Sequence, residues 1–250
     1  MSPPRACFRL TLEYDGREFR GWQRQPGGCR TVQGTLEAAV EAVAGQVVRV
    51  EGASRTDAGV HAEGQVAALR LATRLDAAGL ARALNAVLPG DVAVVGAAPA
   101  PDDFDPRRQA RGKLYRYALW NGPARSPLRA ARSLRVEGPL DLSAMRAGAA
   151  LLRGTHDFGS FQATRSGART RVRTLDRLDV VVTAPGEVAL LVGGDAFLRH
   201  MVRILAGTLL EVGRGRRAPG SLVAVLAARS RAAAGPTAPP HALTLVRVEY

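Results

Sequence analysis

The sequence predicts an α+β fold of two pseudo-repeated, split β-α-β halves, with their sheets side by side around a central cleft. Three observations support this fold. Runs that alternate apolar and polar residues, the period of a half-buried strand, occur in both halves. Apolar residues spaced three and four apart, the period of a helix, lie between them. The order β-α-β-β-α-β then occurs twice, as in an internal duplication, and the RNA-recognition module has the same strand order.

The first half begins with a predicted strand over residues 8–14, where apolar and polar side chains alternate. A helix is predicted over 33–44, because Leu36, Val40 and Val43 fall on one face. Two strand-like runs follow at 46–51 and 64–71. The next helix ends at Pro89 and Gly90, and a strand is predicted over 91–97. The apolar face of that helix comprises Leu80, Leu84, Val87 and Leu88.

The second half repeats this order with a strand over 114–120 and a helix over 141–152. A hairpin of strands 172–183 and 187–193 is predicted around the turn Ala184-Pro185-Gly186. Helices over about 196–212 and 221–229 and a strand over 243–249 complete the chain. We therefore expect two domains, 1–103 and 104–250.

The chain is strongly basic. Its 35 Lys and Arg against 22 Asp and Glu give a net charge of +13 and a pI of about 11.3. Residues 101–180 hold 16 basic and 8 acidic residues, and 181–250 hold 8 and 4. This excess predicts a face that binds a polyanion; a solvated basic surface is the alternative. The basic clusters are Arg107, Arg108, Arg111, Lys113 and Arg116, then Arg125 to Arg135, Arg165 to Arg177, and Arg214, Arg216 and Arg217.

Other classes of protein fit the sequence poorly. Its apolar stretches are far shorter than the roughly 18 to 20 residues of a membrane span, and the N-terminus lacks the apolar core of a secretory signal. We therefore expect a cytoplasmic protein without a membrane partner. Cys7 and Cys29 lack the spacing of a zinc site or a disulfide framework. The sequence has no motif for a nucleotide cofactor or a metal, so none is predicted.

The loop most suited to chemistry is Gly52-Ala53-Ser54-Arg55-Thr56-Asp57-Ala58-Gly59-Val60-His61-Ala62. Its glycines allow positive φ and close approach of another chain segment. Arg55 lies two residues from Asp57, and a carboxylate near a guanidinium stays ionised and can act as nucleophile or base. From spacing alone, an Asp at such a position is more often a turn-forming residue that hydrogen-bonds its own backbone. His61, His156, His200 and His241 are weaker candidates, because the sequence shows no constellation of carboxylate and nucleophile for any of them.

The sequence GASRTDAGVHAEGQV strongly resembles the motif of the tRNA pseudouridine synthase A family. Further blocks extend the resemblance over most of the chain in the family's order. They are Tyr14-Asp15-Gly16 with Phe19 and Gly21-Trp22-Gln23; Thr31-Val32-Gln33 with Leu36-Glu37; Leu84-Asn85 with Leu88-Pro89; Lys113-Leu114-Tyr115-Arg116-Tyr117; Gly154 to Phe158 with Ser160-Phe161; Phe197 to Arg203; and Thr237-Ala238-Pro239. The chain departs from the family pattern at Asp105-Pro106-Arg107-Arg108 and at Ala242.

The resemblance implies a homodimeric enzyme that isomerises uridine to pseudouridine in the anticodon stem-loop of tRNA, at positions 38, 39 and 40, without a cofactor. It implies the pseudouridine synthase fold, with Asp57 as the catalytic aspartate. Tyr115 matches the residue that stacks on the target base, and Arg203 matches the basic partner of the aspartate. Arg55 matches an arginine that helps to hold the flipped nucleotide.

Two other classes of function explain part of the sequence. A non-catalytic RNA-binding protein of two RRM-like units accounts for the charge and strand order, but it leaves the Asp57 loop unexplained and lacks the aromatic pattern of such modules. An aspartate-dependent phosphotransfer enzyme would need a second acidic or metal-binding partner for Asp57, and the sequence offers none near it.

Overall fold

The computed structural model describes residues 4–164 and 170–250, which divide into two compact units. The first unit is Met1–Arg111 with Leu245–Tyr250, and the second is Gly112–Thr244. Each combines antiparallel strands with helices, so the predicted α+β class is confirmed. The predicted domain boundary after residue 103 stays a prediction. Arg165 and Arg169 of the predicted basic clusters lie outside the described residues.

The elements follow one another along the described chain in nearly the predicted order. The strands are β1 (Arg5–Tyr14), β2 (Glu51–Gly52), β3 (His61–Ala72), β4 (Val92–Ala100), β5 (Gly112–Trp120), β6 (Leu134–Arg135), β7 (Gly154–Asp157), β8 (Val172–Leu175), β9 (Arg177–Ala184), β10 (Glu187–Gly194) and β11 (Leu243–Glu249). The helices are α1 (Val32–Ala44), α2 (Ala77–Val87), α3 (Leu142–Leu151), α4 (Met201–Gly213) and α5 (Ser221–Ala228).

The first unit is built on β1 and β3, which pair antiparallel from Arg5 with Ala72 to Tyr14 with Ala62. Strand β4 pairs with the other edge of β1, β2 pairs with β3, and β11 lies beside β3. Most of β3 is buried, which is typical of a strand covered on both faces. The core is apolar, because Leu10, Leu36, Leu69 and Leu80 have no exposed surface.

Both helices of the first unit begin at side-chain caps. The Thr31 hydroxyl accepts the N–H of Gly34 at the start of α1, and Asp76 accepts the N–H of Gly79 at the start of α2. The predicted helices are therefore confirmed. Val87, however, is about half exposed and does not belong to the buried face of α2.

The prediction of a strand over 46–51 is wrong, because only Glu51–Gly52 pair with β3. Side chains occupy backbone groups that a strand ladder would use. The Gln46 amide makes two hydrogen bonds with the backbone of Ala72, at 2.7 and 2.9 Å. The Gln33 amide donates to the carbonyl of Val50, and the Glu37 carboxylate accepts the N–H of Val50. The apolar run has the same pattern in a paired strand and in a segment held by side chains, so the pattern cannot distinguish these two structures.

The second unit is built on β10, which pairs antiparallel with β5 on one edge and with β9 on the other. The predicted turn Ala184-Pro185-Gly186 joins β9 and β10, and Gly186 has a φ of 75°. The predicted single strand 172–183 is divided. Its first part, β8, pairs instead with β7 in a separate two-stranded sheet. Apolar alternation continues through both parts, so it does not reveal the change of partner.

Helices α3 and α4 pack together in the second unit, and α4 also contacts β5. Helix α4 begins at Met201, five residues later than predicted. His200 has a φ of 61°, and the Asp195 carboxylate accepts the N–H of Ala196 ahead of it. A residue in the left-handed region interrupts a helix even where apolar spacing continues.

Within the described ranges, we find no helix that is both long enough and apolar enough to cross a membrane.

Candidate functional site

The loop that carries Asp57 lies in the first unit and connects β2 with β3. It holds Asp57 half-buried and Arg55 exposed, while Ser54 and Thr56 are buried. Gly59 has a φ of 79°, in agreement with the expectation of positive φ in this loop. The loop therefore presents the carboxylate at a partly shielded position.

The segment before α1 supports the loop through its backbone. The N–H of Trp22 donates to the carbonyl of Thr56 at 3.0 Å, and the N–H of Gly59 donates to the carbonyl of Phe19 at 3.3 Å. Gly21 has a φ of 92°, and a Cβ there would lie 2.7 Å from the carbonyl oxygen of Thr56. Only glycine meets both demands without displacing the loop.

His61 ends the loop in a buried position, and the structure brings to it a carboxylate that sequence spacing does not reveal. Its Nδ1 lies 3.3 Å from Oδ1 of Asp15 and accepts the N–H of Gly16 at 3.2 Å. Burial alone would raise the pKa of Asp15, but hydrogen bonds from the side chain and backbone of Arg17 together outweigh it and lower that pKa. These contacts anchor the end of the loop.

Tyr115 lies in the second unit, on β5, with 7% of its surface exposed. Its ring meets the ring of Phe197 edge-on, with centroids 5.1 Å apart and an interplanar angle of 79°. Edge-to-face contacts of this kind fix ring orientation. Phe197 was predicted to lie in a helix; it precedes α4 instead, where it can contact β5.

Arg203 lies on α4 and is half-buried. Its Nε donates to the carbonyl of Ala238 at 2.8 Å, and the N–H of Ala238 donates back to the carbonyl of Arg203 at 3.0 Å. The Tyr117 hydroxyl donates to the carbonyl of Pro239 at 3.0 Å, and burial raises the pKa of Tyr117 well above its ordinary value. The segment 236–239 is thus bound to α4 and to β5, and it holds Arg203 in one place.

Of the four predicted site residues, Asp57 and Arg55 lie in the first unit, and Tyr115 and Arg203 lie in the second. Their functional roles, and the pairing of Arg203 with Asp57, stay predictions. Sequence reasoning assigned no role to their supports, which are Tyr14, Gln65, Phe197 and Ala238. Gln65 offered a signal, since it is an amide directly before the apolar run of residues 66–69 in β3.

Many cations of the basic clusters already have acidic partners. Arg129 contacts Glu187 at 2.6 Å and Arg217 contacts Glu211 at 3.1 Å. Arg214 and Arg216 are exposed. Acidic residues are already subtracted in the net charge of +13, so these ion pairs leave that excess to cations outside them.

The two departures from the family pattern have local structural roles. The Asp105 carboxylate accepts the N–H groups of Arg108 and Arg107 at 2.9 Å each, and these bonds lower its pKa against a smaller effect of burial. Asp105 thus closes a turn. Ala242 is buried in a short 3₁₀ turn, Pro240–Ala242, before β11.

Two further features of the described residues add nothing to the four site residues. No cluster of three or more His, Cys, Asp or Glu could hold a metal ion in residues 4–164 and 170–250. An open groove of about 1250 Å³ lies beside α1 in the first unit, and none of the four lines it.

Comparison with known proteins gives concordant matches. A family model described as tRNA pseudouridine synthase matches residues 11–107 and 149–250. The chain is 49% identical to a tRNA pseudouridine synthase A of Myxococcus xanthus, over 97% of this chain and 91% of that protein. It is 50% identical to that of Acidiphilium cryptum, over 97% and 96%, and 44% identical to that of Geotalea uraniireducens, over 97% and 99%.

Among solved structures, the chain is similar to one in the archaeal box H/ACA sRNP Nop10–Cbf5 complex. The TM-score is 0.36 at 14% identity, over 82% of this chain and 44% of that chain.

Proposed function

The chain belongs to the tRNA pseudouridine synthase family and is an isomerase of tRNA uridine, and we propose that its targets are uridines 38, 39 and 40 of the anticodon stem-loop, with Asp57 as the catalytic residue and no cofactor. The observation that carries the proposal furthest is the Asp57 loop. It holds a half-buried carboxylate between backbone positions that are bonded to the rest of the first unit.

The reaction sets the demands on this carboxylate. The bond between N1 and C1′ breaks, the uracil turns, and a bond between C5 and C1′ forms; C5 loses a proton and N1 gains one. No electrons are gained or lost overall, so no redox cofactor is required. Asp57 could attack the sugar, attack the base, or remove a proton from the ribose. Each route needs a preoriented carboxylate, which a supported loop supplies.

The target base must leave its stack to reach a side chain, which costs a few kcal/mol. An aromatic platform and a positive rim offset that cost. We assign the platform to Tyr115, whose ring is held by Phe197. We assign the partner of the aspartate to Arg203, whose guanidinium is fixed by Ala238. Arg55 is exposed on the same loop as Asp57 and would contact the flipped nucleotide and its phosphate.

The resemblance to the family supports two further proposals. The enzyme works as a homodimer, and it acts in the cytoplasm, where its tRNA substrate is available. The molar mass in solution tests the first directly, against the chain mass of 26.4 kDa.

The proposed function is tested by incubating the purified protein and unmodified tRNA in EDTA, then mapping pseudouridine by carbodiimide treatment and primer extension. Asp57→Ala and Asp103→Ala are assayed alongside, because Asp103 is an exposed carboxylate of the same unit. We expect stops just 3′ of positions 38 to 40 with the parent and Asp103→Ala, and none with Asp57→Ala. The affinity of Asp57→Ala for tRNA should stay within about tenfold, roughly 1.4 kcal/mol.

Three results would overturn parts of the proposal. Turnover by Asp57→Ala would remove its catalytic role. Stops at other uridines only would change the target. Activity that EDTA abolishes would require a metal.

A further inference from the structure

We propose that Gln65, Tyr14 and Thr56 form a buried chain of hydrogen bonds that positions Asp57. We call these three residues with Ser54 the Gln65 network. The inference rests on the proposed catalytic role of Asp57, and it assigns to Gln65 and Tyr14 a positioning role that acts through the loop. All four residues lie in the first unit. In the sequence, Tyr14 is 42 positions from Thr56 and 51 positions from Gln65.

The network begins at Gln65, which has no exposed surface. Its Oε1 accepts the N–H of Ser54 at 3.1 Å, and its Nε2 donates to the carbonyl of Ser54 at 2.7 Å. The Ser54 N–H can only donate and its carbonyl can only accept, so the pair of bonds fixes the orientation of the amide. Gln65 therefore holds the backbone of Ser54 from both sides.

The network continues to Tyr14. Nε2 of Gln65 lies 3.3 Å from the Tyr14 hydroxyl, and because Nε2 has no acceptor capacity, the Tyr14 oxygen accepts this bond. The Tyr14 hydroxyl lies 2.8 Å from Oγ1 of Thr56, to which it can donate its own proton. The Tyr14 hydroxyl thus accepts one hydrogen bond and donates the next, and each bond polarises and strengthens its neighbour in the direction from Gln65 to Thr56.

Thr56 is held in two ways. Its hydroxyl is bonded to Tyr14, and its carbonyl accepts the N–H of Trp22 at 3.0 Å. The Trp22 ring lies against the ring of Tyr14, with centroids 6.3 Å apart. The side chain and the backbone of Thr56 are therefore fixed by neighbouring groups of one cluster.

The consequence for Asp57 follows from the order of residues in the loop. Ser54 and Thr56 are buried and bonded, whereas Arg55 is exposed and Asp57 is half-buried. Fixing Ser54 and Thr56 restricts the backbone on both sides of Arg55 and directly before Asp57. Because a shift of about 1 Å in a catalytic group can lower turnover a hundredfold, this restriction matters more to rate than to substrate binding.

A buried amide is a costly way to stabilise a strand. Burying polar groups offsets the gain from their hydrogen bonds, and an apolar side chain packs as well at a fully buried position such as that of Gln65. Fully satisfied polar networks instead rigidify one arrangement of a core. The expected signature is therefore a loss of turnover that exceeds the loss of stability.

The test is a double-mutant cycle of Tyr14→Phe and Thr56→Val, with kcat and KM measured under multiple-turnover conditions and the thermal midpoint measured alongside. Each variant removes one hydroxyl and keeps the shape of the side chain. We expect each to lower kcat about tenfold with KM unchanged, and the double variant to lose no more than either single, because both break the same hydrogen bond. Thr56→Ser restores the hydroxyl and should recover most of the rate.

Tyr250→Phe is the matched control, since it removes the hydroxyl of another tyrosine of the same unit. That hydroxyl donates to the carbonyl of Pro106. We expect its kcat to equal that of the parent. Multiplicative losses in the double variant, parental rates for both single variants, or an equal loss in Tyr250→Phe would overturn the positioning role. Asp57→Ala in the same series separates the proposals: turnover by that variant contradicts the catalytic role itself, whereas its inactivity beside fully active Tyr14→Phe contradicts only the network.

Discussion

The Asp57 loop and the surroundings of Arg203 are held in place by different means. Asp57 lies in a segment without regular structure, and its neighbours are bonded to side chains and backbone of the first unit. Arg203 and Tyr115 lie on a helix and a strand of the second unit. Regular elements position a side chain through the backbone ladder, whereas an irregular loop needs dedicated contacts. A loop site is therefore sensitive to changes at residues that never touch substrate.

The two regions also share one feature. A backbone carbonyl lies directly against a glycine in each: Val60 against Gly16 in the first unit, and Pro236 against Gly207 in the second. A Cβ at either glycine would be 1.9 Å from that carbonyl oxygen. Each region thus has a position at which a single methyl group must displace the segment packed against it.

Between these two regions, the largest effect on the supporting contacts is expected at Arg203, where one side chain both tethers a segment and supplies the proposed charge. Arg203→Met removes a charge-assisted contact, so we expect kcat to fall roughly ten- to a hundredfold, about 1.5–3 kcal/mol. Arg146→Met is the matched control, since Nε of Arg146 also donates to a backbone carbonyl, that of Val180, from a helix of the same unit. Steady-state kinetics would measure kcat of both variants, and equal losses would show a tether without a catalytic charge.

The next effect compares the two glycines. Gly16→Ala and Gly207→Ala should each lower the free energy of unfolding by about 1–3 kcal/mol, the usual cost of overpacking. Gly220→Ala, where a Cβ meets nothing within 4 Å, should leave it unchanged. Thermal unfolding gives the stabilities and single-turnover assays give the rates.

If the Asp57 loop depends on its supporting contacts more than the surroundings of Arg203 do, the loss of kcat relative to the loss of stability should be larger in Gly16→Ala than in Gly207→Ala. An equal ratio of rate loss to stability loss in the two variants would break the distinction between loop and helix.

The smallest effect concerns pH. Asp15 anchors the end of the Asp57 loop, and its pKa is lowered in the folded state. The stability it contributes is present above the unfolded pKa of about 3.9 and is lost as the pH falls through the folded value. Asp15→Asn should therefore be slightly less stable than the parent near neutral pH, with the gap closing below about pH 4. Urea unfolding at several pH values would measure this, with Asp103→Asn as the control; a gap independent of pH would contradict it.

Much of the fold follows from local pattern. Periodicity located α1, α3, β1 and β11 to within a few residues, because their buried faces are continuous. It failed at residues 46–50, where Gln33, Glu37 and Gln46 take the hydrogen bonds of a ladder. It failed again at the start of α4, where His200 adopts a left-handed conformation. The first failure depends on polar side chains and the second on a backbone conformation, and apolar periodicity carries no information about either.

The sequence by itself determined the family, because the family's motifs are short contiguous runs of residues that occur in this chain in the family's order. It also singled out Asp57, Tyr115, Arg203 and Arg55 through those motifs. Only the tertiary structure decided what holds them. Gln65 meets Tyr14 across 51 residues, and Arg203 meets Ala238 across 35. A buried polar group must find a partner wherever the fold brings one within reach, and that choice depends on packing between distant segments.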